Sequence, residues 1–242
     1  MTGQWQEIGA PGGIEAHVEH PEGEVRGAVV VCCEMYGINA YVRGICAELA
    51  GLGYVALAPD FYWRAARRTE LGYSAQEREA GLVLMRALDR DELVADAAEA
   101  LAAARSAADG RGVAFVGTSM GGHIAVRAAT ELSFELAAVF YPGWMLNPGF
   151  PFAGPVAPLQ TADRIAANGV FLLGFNGELD HILPLEEWAA VQEKLADAKV
   201  AHEVVTYPNA RHGFASDRPA DRDAAAAEDA WRRVHEALAQ RL

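Results

Sequence analysis

The chain has 242 residues, 52% of them apolar and 22% charged, and a formal net charge of -13. That balance suits one globular domain with a sizeable core, and the acidic excess argues against a nucleic-acid backbone or an anionic membrane surface as partner, since both require a basic face. The three cysteines, Cys32, Cys33 and Cys46, make no disulfide framework, and no basic–apolar leader or bilayer-length apolar stretch is present, so a soluble, cytoplasmic protein is expected.

Residues 4–19, broken by Ala10-Pro11-Gly12-Gly13, predict two short strands in an antiparallel edge hairpin. Residues 28–33 form a continuous apolar, β-branched run without polar alternation, the pattern of a strand buried on both faces. A loop, Glu34-Met35-Tyr36-Gly37-Ile38-Asn39, leads to helical spacing over 41–52, a glycine stop, and a second buried strand over 54–58. Residues 61–73, rich in arginine and aromatics, read as a long loop over the C-terminal edge of the sheet, where open α/β sheets place ligands.

Helices are expected over 74–88 and 91–107, and strands over 112–116 and 137–141. The Pro/Gly-rich stretch 142–158 reads as irregular loop. A strand over 170–175, a helix over 185–196, a strand over 202–207 and an amphipathic helix over 221–242 complete the chain. The alternation predicts a mostly parallel central sheet covered by helices on both faces, in one domain over residues 1–242.

Gly117-Thr118-Ser119-Met120-Gly121-Gly122 stands between the 112–116 strand and an apolar helix. A serine between close-packing glycines at such a junction fits a nucleophile elbow, and the helix N-terminus behind it offers N–H groups where an oxyanion would develop. A serine hydroxyl needs a base within hydrogen-bond reach and a carboxylate to orient that base. Asp180 follows the 170–175 strand and His212 follows the last strand, which is the order Ser, Asp, His of an α/β-hydrolase.

Glu178 competes with Asp180 for the acid role, and His181 with His212 for the base. His181 adjoins Asp180 in the chain and would leave the base without an independent carboxylate, while His123 sits where a packing role is expected. No His, Cys or carboxylate cluster has metal-ligand spacing, so neither metal nor cofactor is expected.

These segments together resemble the dienelactone hydrolase family of α/β-hydrolases. The resemblance rests on Glu34-Met35-Tyr36-Gly37 with Asn39, Gly53-Tyr54, Pro59-Asp60-Phe61-Tyr62, the elbow, Tyr141-Pro142-Gly143, Gly177 with Asp180 and Pro184, and Tyr207-Pro208 with His212-Gly213-Phe214. It implies a triad of Ser119, Asp180 and His212, an oxyanion hole from the backbone N–H groups of Met35 and Met120, and a Glu34 that holds the resting nucleophile until substrate displaces it. Two departures stand out. The family typically carries cysteine where this chain has Ser119, and of the two arginines that grip a substrate carboxylate only Arg78 aligns, with Ser216 in the place of the other.

Arg64, Arg67 and Arg68 are candidates for a substitute cation, and Tyr36, Trp63, Trp144, Met145 and Phe214 are candidates to line the pocket. The expected function is cleavage of a small ester or lactone through an acyl-enzyme, by a monomer or homodimer. A broader carboxylesterase or thioesterase and a non-catalytic binding module are the alternatives.

Overall fold

The apolar runs that alternate with amphipathic stretches pair into one eight-stranded sheet in a computed structural model, which describes residues 3–242. The strands are β1 (Gln4–Glu7), β2 (Glu15–Glu19), β3 (Gly27–Cys32), β4 (Tyr54–Pro59), β5 (Val113–Thr118), β6 (Leu136–Phe140), β7 (Phe171–Gly177) and β8 (His202–Tyr207). Their spatial order is β1-β2-β4-β3-β5-β6-β7-β8. The edge pair β1 and β2 runs antiparallel, and all pairs from β4 to β8 are parallel. The expected edge hairpin and parallel sheet are both present.

Helices α1 (Ala40–Gly51), α2 (Ala75–Ala87), α3 (Arg90–Ala107), α4 (Met120–Glu131), α5 (Ala162–Ala167), α6 (Leu185–Asp197) and α7 (Ala224–Arg241) connect the strands. α1 and α7 share one face, where His235 and Glu48 approach to 3.4 Å, while α3 and α4 pack on the other face with α5 against α4. Sequence periodicity marked six of these helices; α5, six residues long, is too short for an apolar stripe to show. The last helix begins at Ala224 rather than 221, because the Asp223 side chain caps it by accepting from Ala226 N at 3.1 Å.

β3, β4, β5 and β6 are buried along their whole length, which is why their sequences show no polar alternation. Since strands β3 to β8 all point the same way, the residues that follow β3, β5, β7 and β8 emerge at one edge of the sheet. Glu34, Ser119, Asp180 and His212 are those residues. No helix among the described residues is long and apolar enough to cross a membrane.

Candidate active site

The elbow is forced by close backbone packing. Ser119 has φ 53° and ψ -115°, a conformation that costs a non-glycine residue about 1–3 kcal/mol and persists only where the surroundings impose it. A Cβ on Gly117 would lie 2.2 Å from the Gly121 carbonyl oxygen, and one on Gly121 would lie 2.0 Å from that of Cys32. Both positions therefore need glycine for α4 to start hard against β5 and β3. Ser119 N donates to Phe140 O at 2.9 Å, and His123 N to Ser119 O at 3.1 Å, so the backbone is held while the hydroxyl caps nothing in its own helix.

That hydroxyl oxygen lies 2.9 Å from His212 Nε2, and His212 Nδ1 lies 2.9 Å from Asp180 Oδ2. The second Asp180 oxygen accepts from Ile182 N at 2.7 Å and Leu183 N at 2.9 Å. Asp180 is buried, and with both oxygens bound it can neither rotate nor be solvated. The loops bearing Asp180 and His212 are joined through their backbones: Glu178 N donates to Tyr207 O and Leu179 N to Ala210 O. A Cβ on Gly177 would meet Ala210 O at 2.4 Å, which is the reason for glycine at the end of β7. The rivals fall away from this line. Glu178 accepts from Asn209 N on the surface, and the exposed His181 only edges against His212 with ring centres 5.9 Å apart.

Glu34 is buried and accepts from the Tyr141 hydroxyl at 3.1 Å, with its other oxygen 3.9 Å from Arg218 Nη2. Ser119 is therefore engaged by His212, whereas Glu34 is engaged by Tyr141 and Arg218. The resemblance implied a glutamate holding the resting nucleophile; here the serine, a hydroxyl rather than an ionisable thiol, is hydrogen-bonded to His212 instead. Tyr141 stacks edge-on against His212, ring centres 4.9 Å apart, so it bridges Glu34 and His212. Burial, with Glu34 adding to it, pushes its phenol well above the ordinary range and keeps it a donor.

Arg218 is the site residue that sequence reasoning missed. The resemblance put Ser216 where a second arginine was sought, but the chain reaches in with Arg218 two residues later. Arg218 Nη2 lies so close to the backbone of Gly213 that a Cβ there would fall 2.1 Å from it, and Gly213 has φ +85°. The guanidinium sits between the rings of Tyr36 and Tyr73, 5.5 and 5.7 Å from their centres, and donates to the Tyr36 hydroxyl at 3.2 Å and to Ser216 Oγ at 3.2 Å. Asp221 pairs with its Nε at 3.2 Å. Burial works against the charge, but Glu34, Asp221 and the Tyr36 oxygen outweigh it and hold the guanidinium above its ordinary range.

Tyr62 belongs to the Pro59-Asp60-Phe61-Tyr62 segment that carries the resemblance, but no role was read for it from the sequence. Its hydroxyl donates to Met35 O at 3.2 Å and lies 3.3 Å from Met120 Sδ, tying together the two residues expected to form the oxyanion hole.

Several expected substrate contacts are elsewhere. Arg64 pairs with Asp96 at 2.6 Å and Glu92 at 3.4 Å, and Trp63 donates its indole N–H to the same Asp96, so both anchor the 61–73 loop to α3. Arg78 lies exposed on α2 beside Glu79, 3.6 Å away. Phe214 is fully buried among Tyr141, Phe140 and Tyr207 and supports the His212 loop from within the core. Met145 is buried too, while half-buried Trp144 folds onto Phe150 and Phe152 with ring centres 4.7 and 5.7 Å away. Tyr36 alone of this set touches the site, through Arg218. The described residues contain no His, Cys, Asp or Glu group suited to a metal ion.

The dienelactone hydrolase family model matches residues 14–242. The chain belongs to the dienelactone hydrolase family. A Synechocystis protein provisionally named carboxymethylenebutenolidase is 31% identical over 212 residues, covering 85% of this chain and 82% of the relative. The carboxymethylenebutenolidase of Rhodococcus opacus is 28% identical over 216 residues, covering 86% and 79%. A crystal structure provisionally assigned as a dienelactone hydrolase, from Klebsiella pneumoniae, superposes with a TM-score of 0.84 at 24% identity, over 98% of each chain. The chain is thus an α/β-hydrolase-fold enzyme acting on ester bonds, and the non-catalytic binding module is set aside.

Proposed function

We propose that this enzyme hydrolyses a small ester or lactone by a serine acyl-enzyme mechanism, with Ser119 as nucleophile, His212 as general base and acid, and Asp180 as its orienting carboxylate. The observation that carries the reading is the unbroken line Ser119 Oγ, His212 Nε2, His212 Nδ1, Asp180 Oδ2, with both contacts at 2.9 Å. Ser119 Oγ attacks the carbonyl carbon as its proton passes to His212 Nε2, and the imidazolium is stabilised by Asp180. The oxyanion rests on the N–H groups of Met120, first residue of α4, and Met35. His212 then gives the proton to the leaving alkoxide, activates a water against the acyl-enzyme, and returns the proton to Ser119.

Arg218 is the cation that a carboxylate on the substrate would meet, in place of Arg78 or Arg64. It is already faced by Glu34 and Asp221, so a bound carboxylate must displace Glu34 towards Tyr141, and this specific arrangement favours a second reading of broader carboxylesterase action on neutral esters. Steady-state hydrolysis of a carboxylate-bearing dienelactone, a neutral lactone, p-nitrophenyl acetate and p-nitrophenyl octanoate, with Ser119→Ala in parallel, tests both. Preference for the carboxylate-bearing lactone supports the first reading, and turnover of neutral esters alone supports the second. Ser119→Ala with substantial remaining activity contradicts the mechanism in either case.

A further inference from the structure

Arg127, on the face of α4 turned towards α3 and α5, is 3% exposed. Its Nη2 donates to main-chain oxygens, Val156 O at 2.5 Å and Ala153 O at 3.4 Å, while its Nε is buried without any partner. No carboxylate among the described residues pairs with it. The contrast with Arg218, the other arginine set into the protein, is direct, because Arg218 has two carboxylates at hand. A guanidinium stays charged at neutral pH, and a charge out of water is costly unless something of opposite sign approaches it.

Arg127 opens onto a surface groove of about 420 Å³ between α3, α4 and α5. Two more arginines line it, each balanced locally: Arg90 by Asp91 at 2.6 Å and Arg164 by Glu131 at 2.7 Å. Three cations against two carboxylates leave one positive charge uncompensated, and it belongs to the buried member. Burial pushes the Arg127 pKa down, with Arg90 acting in the same direction and Glu131 and Asp91 opposing, the imbalance that an incoming anion would relieve. The α3 N-terminus adds little, since the Asp89 side chain already accepts from Asp91 N and Glu92 N.

We propose that this groove is a second, non-catalytic site for a small oxyanion-bearing ligand, whose phosphate or carboxylate group seats against the Arg127 guanidinium with Arg90 and Arg164 at its rim. Arg127 stands two helical turns from Ser119, about 12 Å along α4, so occupancy of the groove and of the active site are separate events. The groove exceeds a single oxyanion in size, leaving room for the organic part of a phosphate monoester or a polycarboxylate.

Isothermal titration of the full-length protein with inorganic phosphate, and separately with citrate, at low ionic strength tests this and tells the two sources apart by which binds more tightly. One site is expected, unchanged in Ser119→Ala, weakened at least about ten-fold in Arg127→Met, and weakened severalfold in Arg164→Ala. Arg164 is exposed, so that variant keeps the test valid should Arg127→Met fail to fold. Glu131→Gln removes a competing carboxylate and frees Arg164, and it should tighten binding, which an Arg127 serving only to hold the 153–156 loop does not predict. Ester hydrolysis by Arg164→Ala should match wild type. Heat no greater than with potassium chloride, binding lost in Ser119→Ala, or affinity indifferent to both Arg127→Met and Glu131→Gln overturns the proposal.

Discussion

Ser119, Asp180 and His212 each follow a parallel strand at one edge of the sheet, whereas Arg218 enters the same site from further along the irregular loop between β8 and α7, beyond His212. The first group is positioned by backbone: an elbow whose glycines cannot carry a Cβ, and two loops joined by main-chain hydrogen bonds. The second is positioned by side chains alone, through Glu34, Tyr36, Ser216 and Asp221. Backbone-held groups are ready before substrate arrives. A side-chain-held guanidinium can exchange partners, which makes it the place to look for specificity.

Breaking the backbone-held half should cost most. Ser119→Ala and His212→Ala are each expected to lower kcat by at least about 10⁴-fold, and Asp180→Asn by about 10²–10⁴-fold, with thermal unfolding showing the fold retained. Breaking the side-chain-held half should read differently. Arg218→Met is expected to raise KM for a carboxylate-bearing lactone about 10–100-fold, the worth of a charge-assisted contact, while p-nitrophenyl acetate turnover changes less than about three-fold. An equal loss on both substrates would place Arg218 in the support of His212 rather than in recognition.

Tyr62→Phe probes the link between Met35 and Met120, the two residues proposed to form the oxyanion hole. Losing one neutral hydrogen bond to Met35 should lower kcat about 3–10-fold with KM little changed. His123 sharpens the picture of α4 itself: it is fully buried, Nδ1 donates to Gly143 O at 3.0 Å, and burial lowers its pKa to about 3, with the Gly143 contact opposing and Arg127 adding a smaller push downwards. A histidine depressed in the folded state takes up its proton on unfolding, so its contribution to stability is complete above about pH 6.5 and is lost as pH falls towards 3, by at most about 1.4 kcal/mol per pH unit. His123→Phe should flatten that slope in denaturation at pH 4–7. The smallest expected effect is none: Cys32, Cys33 and Cys46 are all buried, and burial followed by Asp60 pushes the Cys33 thiol up to about 12, so iodoacetamide at pH 8 should leave esterase activity intact.

The same division explains what could be read before the structure. The strands and the positions of Ser119, Asp180 and His212 follow from apolar runs and the residues just beyond them, which are local facts of the chain. Arg64, Arg67 and Arg68 looked like free cations in a ligand loop, because their partners Asp96 and Glu15 lie far away in sequence on α3 and β2. Arg218 was hidden for the converse reason: its loop has no periodicity, and it stands two residues beyond Ser216, where the second arginine was sought. Tyr141 and Phe214 belonged to matching motifs, yet only packing shows one donating to Glu34 and the other filling the core beneath His212.

The most direct test of the central claim is covalent capture of the nucleophile by paraoxon, followed by intact mass and peptide mapping. The assembled Ser119–His212–Asp180 line predicts one diethyl phosphoryl group per chain, located on Ser119, and slowed at least about 10³-fold in His212→Ala. No adduct, or an adduct on another residue with activity lost, would contradict it.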